Sequence, residues 1–399
     1  MDMRTRLAQR RVTAGHSQES LAALLGVDRT TVGRWERGIT VPQPWVRSGL
    51  AEALDVSQNE LAELLTPGAD VNSTAVGQCS PGGIGDGDWV DAAVSAMRQL
   101  LDVYDLPEDG PIRPLDELQH AVAKLVSWRL NSAYSAIAEC LPVLAPELTR
   151  GLFLHEGAMR SAFARLLVQA YRAADAVADK FGFHDLSARI IHVMGWAATE
   201  SDDPLAMAAA SYVRAQTFFV TGQLETGRRV LERAADQLTA GSSMATSAAY
   251  GALHMRAAVT AARTGLADHA RDHVSEAYGV ARTVPDGVYT GTAFGPSSVR
   301  IHEVTMALDL QDISNAMATA AGWVPPTTIP AERRSHFYVD LARAQVMAER
   351  PESALEALHT ARSIAPEHIH SHPQAQQVLA QLSVQTSVNN RPLESTSVL

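Results

Sequence analysis

Apolar residues recur at i, i+3 and i+4 along most of this chain, and the period-2 alternation of a half-buried strand is scarce. The pattern predicts an all-α protein. It breaks between Pro67 and Asp88, where PGADVNSTAVGQCSPGGIGDGD is rich in Gly, Ser and Asp and has little periodicity, as a flexible linker would. That stretch, 67–88, separates an N-terminal unit over 1–66 from an alanine-rich helical unit over 89–382. A tail over 383–399 is expected to be disordered.

Within the first unit the segment HSQESLAALLGVDRTTVGRWERG, from His16 to Gly38, predicts two short helices and the tight turn between them. Ser17 is a good N-cap, but Ser20 stands where a capping box needs Glu or Gln, so the sequence promises only the cap. Leu21, Ala22, Leu24 and Leu25 give a short apolar face, and Gly26 breaks the helix where the chain must turn. Asp28 can cap the second helix, with Val32 and Trp35 pointing inward at i, i+3 spacing. Arg29, Thr30, Gly33, Arg34 and Arg37 are left on the outer side.

Gln18, Leu21, Ala22, Gly26, Val27, Val32, Trp35, Glu36 and Gly38, followed by Pro42 and a fourth helix through Leu50, Ala51 and Leu54, resemble the Cro/repressor-type, or XRE-like, helix-turn-helix family. The likeness covers about the first sixty-five residues and implies a five-helix DNA-binding domain. It implies that Gln18 contacts a phosphate, that Arg29, Thr30 and Arg34 face base edges, and that Arg37 contacts backbone. Gly33 stands where a bulkier polar residue is common. Arg11 matches the first-helix arginine that pairs with the glutamate near the end of the recognition helix, here Glu36. Independently of any family, an arginine fork can bond guanine O6 and N7 together, discriminating by roughly 1–3 kcal/mol, whereas phosphate contacts hold register without reading sequence.

Repeats emerge in the second unit. Tyr338, Leu341, Ala342, Ala354, Leu358, Ala361 and Pro366 resemble the spacing of a tetratricopeptide repeat, with weaker copies at Gly227, Leu231, Ala234 and at Ala270, Val274, Ala277. Gly227 to Ala270 spans 43 residues and Ala270 to Ala354 spans 84, leaving room for a degenerate unit around Leu310 to Trp323. The resemblance implies a tetratricopeptide-like α-solenoid whose concave surface is lined by the first helix of each pair. On that spacing Tyr212, Gln216, Met255 and Arg343 look inward. The segment TGTAFGPSSVRIHEV, with Phe294, Arg300 and His302, interrupts the repeats and is expected to form one wall of a ligand pocket.

The two halves together resemble regulators of actinobacterial type that join an XRE-like head to a tetratricopeptide-like domain. They predict double-stranded DNA as a partner, a homodimer formed through the second unit, and a peptide or small-molecule effector. A non-enzymatic scaffold is the alternative. The net charge of -11 excludes a chain that coats nucleic acid indiscriminately. Residues 1–66 hold eight arginines and eight acids, so the negative excess lies beyond them.

No apolar run is long enough to span a membrane and the amino-terminal stretch is polar, so a cytoplasmic protein is expected. Cys79 and Cys140 are too few for a disulfide framework or zinc site. Gly83, Gly85 and Gly87 lack the strand and GK[ST] of a nucleotide loop. His368, His370 and His372 alternate as metal ligands can, yet beside Pro366 and Pro373 they are expected to form a solvated cap. The sequence predicts no metal, no cofactor and no catalytic residue.

Overall fold

The computed structural model describes residues 4–36, 42, 44–65 and 88–389. The chain divides into two compact units, Met1–Gln78 and Cys79–Leu399. Most of the stretch read as a linker, 67–87, lies outside the described residues, and Asp88 already opens a helix.

The first unit contains α1 (Arg4–Thr13), α2 (Gln18–Leu25), α3 (Arg29–Glu36), α4 (Pro44–Ala53) and α5 (Gln58–Leu65). Leu7, Leu21, Val32, Trp35, Leu50, Leu54 and Leu61 are buried together, so every helix contributes to one small core. Ser17 caps α2, and the capping box is closed after all. The Ser20 hydroxyl accepts from the Ser17 amide at 2.8 Å while the Ser17 hydroxyl accepts from the Ser20 amide at 3.0 Å. A serine at the third helical position thus does what the sequence reading reserved for Glu or Gln. Gly26 ends α2 at φ 65°, left-handed backbone that glycine adopts without strain. Asp28 then caps α3, accepting from the Thr30 amide at 2.7 Å and its hydroxyl at 2.6 Å.

The second unit begins with α6 (Asp88–Asp102) and continues in helical hairpins. These are α7 (Leu115–Leu130) with α8 (Tyr134–Leu154), α9 (Gly157–Lys180) with α10 (His184–Glu200), and α11 (Pro204–Thr221) with α12 (Leu224–Asp236). After α13 (Met244–Arg263) and α14 (Ala267–Ala281), strands β1 (Gly287–Tyr289) and β2 (Thr292–Phe294) pair antiparallel through a two-residue turn. Thr290 and Gly291 in that turn both have positive φ, as a type I′ hairpin requires. Then come α15 (Pro296–Asp309) with α16 (Ile313–Ala320), α17 (Ala331–Met347) with α18 (Pro351–Ile364), α19 (Pro366–Ser371) and α20 (Pro373–Asn389). The β-hairpin is the one departure from the all-α expectation among the described residues.

The hairpins owe their close crossings to small side chains. Ala270, Ala277, Ala354 and Ala361 are fully buried, and a Cβ at Gly227 would stand 3.0 Å from Phe218. The stretch from Leu310 to Trp323, where a degenerate unit is expected, contains α16, with Ala316 and Ala320 buried.

The unit also closes on itself. Helix α17 packs against α7. The Glu367 carboxylate on α19 accepts from the Tyr134 and Ser135 amides, 2.8 and 3.2 Å away and more than 230 residues earlier in the chain, thereby capping α8. Of the stretch expected to be a disordered tail from 383, residues 383–389 are helical, because α20 runs on to Asn389. Residues 390–399 lie outside the described residues. Among the described residues no helix is long and apolar enough to cross a membrane.

Candidate functional site

In the first unit, the sequence supplies α3 with one face for the core and one for solvent. Val32 and Trp35 are buried, while Arg29, Thr30 and Arg34 are exposed and Gly33 is half-buried. Arg29 is 63% exposed and stands 3.4 Å from Glu19, a loose surface pair. Arg37 lies outside the described residues.

Beneath this face Glu36 is buried and fully engaged. Arg11 Nε donates to Oε1 at 2.5 Å, Arg11 Nη2 donates to Oε2 at 3.4 Å, and the Gln18 amide donates to Oε2 at 2.6 Å. Arg11 Nη1 donates in addition to the His16 carbonyl at 2.7 Å. The expected Arg11–Glu36 pair is therefore present. The Gln18 amide is turned to Glu36, because a buried carboxylate competes strongly for a nearby N–H.

In the second unit, the odd-numbered helices from α7 to α17 surround a cavity of about 360 Å³. Arg129 of α7, Arg172 of α9, Tyr212 of α11, Arg256 of α13, His302 of α15 and Arg333 of α17 all line it. Tyr212 lies between two of these arginines: the guanidinium of Arg256 lies 4.6 Å from the ring centroid and that of Arg172 lies 5.5 Å from it. Arg256 Nη2 donates to Gln216 at 3.3 Å. Arg172 Nη1 donates to the Thr292 hydroxyl at 2.8 Å, and Arg129 Nη2 donates to the Gly291 carbonyl, so the β-hairpin turn holds two guanidinium groups from outside. His302 must carry its proton on Nδ1, which faces the Ser298 carbonyl at 2.9 Å, and this leaves Nε2 to accept from Arg333 Nη1 at 3.3 Å.

These charges perturb one another. Burial pushes the Tyr212 phenol up, but Arg333, Arg256 and Arg172 outweigh it and bring it down to about 8. Burial, reinforced by Arg129, Arg256 and Arg333, lowers Arg172 to about 9. Burial with Asp179 nearby pushes the Asp175 carboxyl up to about 7, against the hydrogen bond from Ser187.

Of the residues expected to line a pocket, Tyr212, Gln216 and His302 are brought together here. Met255 is not: it is fully buried in the core, one position and so about 100° around the helix from Arg256. Phe294 is also core, filling the space over Gly251, where a Cβ would stand 2.1 Å from its ring. Arg300 stacks on Trp323 and donates to the Thr319 carbonyl at 2.7 Å. Arg343 is taken by Asp340 at 2.7 Å. Sequence reasoning missed Arg129, Arg172, Arg256 and Arg333, whose convergence depends on the closure of the unit.

The histidines depart from the expected solvated cap. His368 and His372 are buried against His336, and one ring nitrogen of each lies within 4.8 Å of the others. His370 stays exposed. Three imidazoles can hold a zinc-sized ion, and Asp340, 3.5 Å from His336, would support one of them. Burial, followed by the nearby Lys180 and Arg333, opposes protonation of the trio, and the two cations would oppose a metal ion in the same way. A larger open groove of about 1010 Å³ runs between α13–α14 and α15–α16. Its charged groups are satisfied: Arg263 donates to Asp309 at 2.9 Å and Tyr278 to Glu303 at 2.7 Å.

No curated protein and no solved structure matches this chain. A family model described as a helix-turn-helix domain matches residues 2–64, the span of α1 to α5. The N-terminal unit is thus a helix-turn-helix domain, a module of the kind that sets its second helix in the major groove of DNA.

Proposed function

We propose that the protein is a non-enzymatic, sequence-specific transcriptional regulator of the Cro/repressor (XRE-like) type. The observation that carries this reading is α3, a helix held rigidly by Trp35 and the Arg11–Glu36 pair while Arg29, Thr30 and Arg34 face outward. Arg29 and Arg34 are the base readers, Thr30 supports them, and Gly33 lets the helix approach closely. Gln18 contributes to phosphate contact through the part of its amide that Glu36 leaves free. Arg37, just beyond α3, is assigned to the backbone.

The second unit is a tetratricopeptide-like solenoid that serves dimerisation and effector binding. The helical hairpins and the small residues at their crossings support the first part. The cavity on the odd-numbered helices supports the second. A head with no net charge depends on a second head for affinity, and two heads must stand about one turn of DNA apart, roughly 34 Å, to read a palindrome. An effector would act by favouring one arrangement of the heads over another.

Genomic footprinting with the purified protein tests the regulator reading. Discrete protected sites with a steep salt dependence are expected, and the absence of any footprint would leave the scaffold reading in its place. Light scattering tests the dimer, and a monomer both on and off DNA overturns it.

A further inference from the structure

We propose that the cavity of the C-terminal unit is a receptor for a small organic dianion, a phosphate monoester or a dicarboxylate, held by Arg172, Arg256 and Arg333 with the Tyr212 hydroxyl. This rests on the effector reading above and gives that effector a chemistry.

The first argument is charge balance. With Arg263 set aside because Asp309 holds it, five cationic side chains line the cavity against three carboxylates, Asp175, Asp179 and Glu332. Glu332 is shared by Lys180 at 3.8 Å and Arg333 at 3.9 Å. Asp175 accepts from Ser187 and sits in surroundings that favour its protonated form. Among the described residues Arg129, Arg172 and Arg256 form no ion pair: their partners are carbonyl, hydroxyl and amide oxygens and aromatic faces. Gathering like charges without acids to meet them is costly for a protein that could have used neutral residues. The excess is two positive charges with Asp175 ionised and three with it protonated, so a doubly charged ligand meets unbalanced charge in either state.

The second argument is unused hydrogen-bonding capacity. The Nε groups of Arg129 and Arg256 are buried without a hydrogen bond, that of Arg333 has only the Glu332 carboxylate 3.9 Å away, and the Tyr212 hydroxyl faces the guanidinium groups of Arg256 and Arg333 rather than an acceptor. Tyr212 is itself 5% exposed and sits on the cavity wall. Buried polar groups are nearly always satisfied, so donors left open around one space point to an acceptor that fills it. Guanidinium forks suit phosphate and carboxylate oxygens better than any neutral ligand. Val213, Phe219 and Val259 add an apolar patch for the rest of the molecule, and about 360 Å³ suits a metabolite-sized ligand.

The test uses the full chain without DNA, so failure of anion binding and failure of operator recognition are separate results. Thermal melts and calorimetry are run with inorganic phosphate, glucose 6-phosphate and succinate at ionic strength fixed with chloride. A saturable rise in Tm is expected, on the order of 5 °C at a hundredfold excess over Kd. A larger response to the phosphates identifies a phosphoryl group, and a larger response to succinate identifies a dicarboxylate. Arg256→Gln should abolish the response and leave the ligand-free Tm unchanged or higher, since it relieves like-charge crowding. Tyr212→Phe, which removes one hydroxyl from a retained ring, should weaken binding without unfolding the protein, and carries the test if Arg256→Gln does not fold. The proposal is overturned if no probe responds, if the response follows ionic strength alone, or if it survives in the variant that folds.

Discussion

Each unit draws an arginine inward, half-buried Arg11 in one and buried Arg172 in the other, and the two are treated in opposite ways. Arg11 in the helix-turn-helix domain meets a carboxylate through two nitrogens and a carbonyl through a third. Arg172 in the helical unit meets only a hydroxyl, a carbonyl and the face of Tyr212. The first charge is balanced within the fold and its work is to fix α1 against α3. The second is left in surplus among others like it, an arrangement that stability alone gives no reason to keep. Balance and imbalance thus separate a strut from a receptor, although both residues are arginines under cover.

The strongest way to break this comparison is Glu36→Ala. Removing one partner of a buried pair strands the other, at a cost of about 3–5 kcal/mol, and Gln18 loses its acceptor as well. The first unit should unfold well below the second, as two separate transitions in calorimetry. An unchanged first transition would show that the pair is not a strut.

Next in size is Arg34→Ala, which should cost roughly 1–3 kcal/mol on the cognate operator and relax discrimination at one base pair. Titration against specific and random DNA checks it, and equal losses on both would make Arg34 a phosphate contact.

Asp175→Asn sharpens the other side. The carboxyl is ionised above about pH 4 in the unfolded chain and held protonated up to about 7 in the folded one. Its contribution to stability is therefore present at low pH and is lost as the pH rises through 7. The gap in Tm between the asparagine variant and the parent should widen in the variant's favour from pH 5 to pH 8. A gap that does not change with pH would place that titration elsewhere.

The smallest effect is expected at the exposed Glu19–Arg29 pair, 3.4 Å apart. Glu19→Ala should shift stability by only a few tenths of a kcal/mol. A loss above about 1 kcal/mol would show that this surface pair, too, is structural.

The first unit was legible because its boundaries are written in chemistry: Ser17, Gly26 and Asp28 are residues whose side chains or backbone freedom do the capping and turning themselves. The second unit offered such signals unevenly. Gly182, Gly222 and Gly265 mark three hairpin turns, but three others pass through left-handed Ser132, Gln311 and Glu349, of which the last two carry no turn signature. Repeat spacing identified Tyr212 and Gln216, and the segment that interrupts the repeats identified His302, yet a slip of one position chose Met255 over Arg256. Arg129 and Arg172 were beyond reach for a different reason. Their partners lie in the Thr290–Thr292 turn, about 120 to 160 residues away, and only the folded unit brings them there.

The cap that Glu367 places on α8 bears on how the protein folds. An open array of hairpins folds as a nearly one-dimensional chain of neighbours, able to start anywhere and to fray from either end. Joining the last helices to the first removes both free ends and ties the final step to contacts spanning most of the unit, which raises its contact order and slows completion. Shortening the chain before Pro366 would therefore do more than trim the edge of the array. It would return a cooperative ring to a strip that melts in pieces.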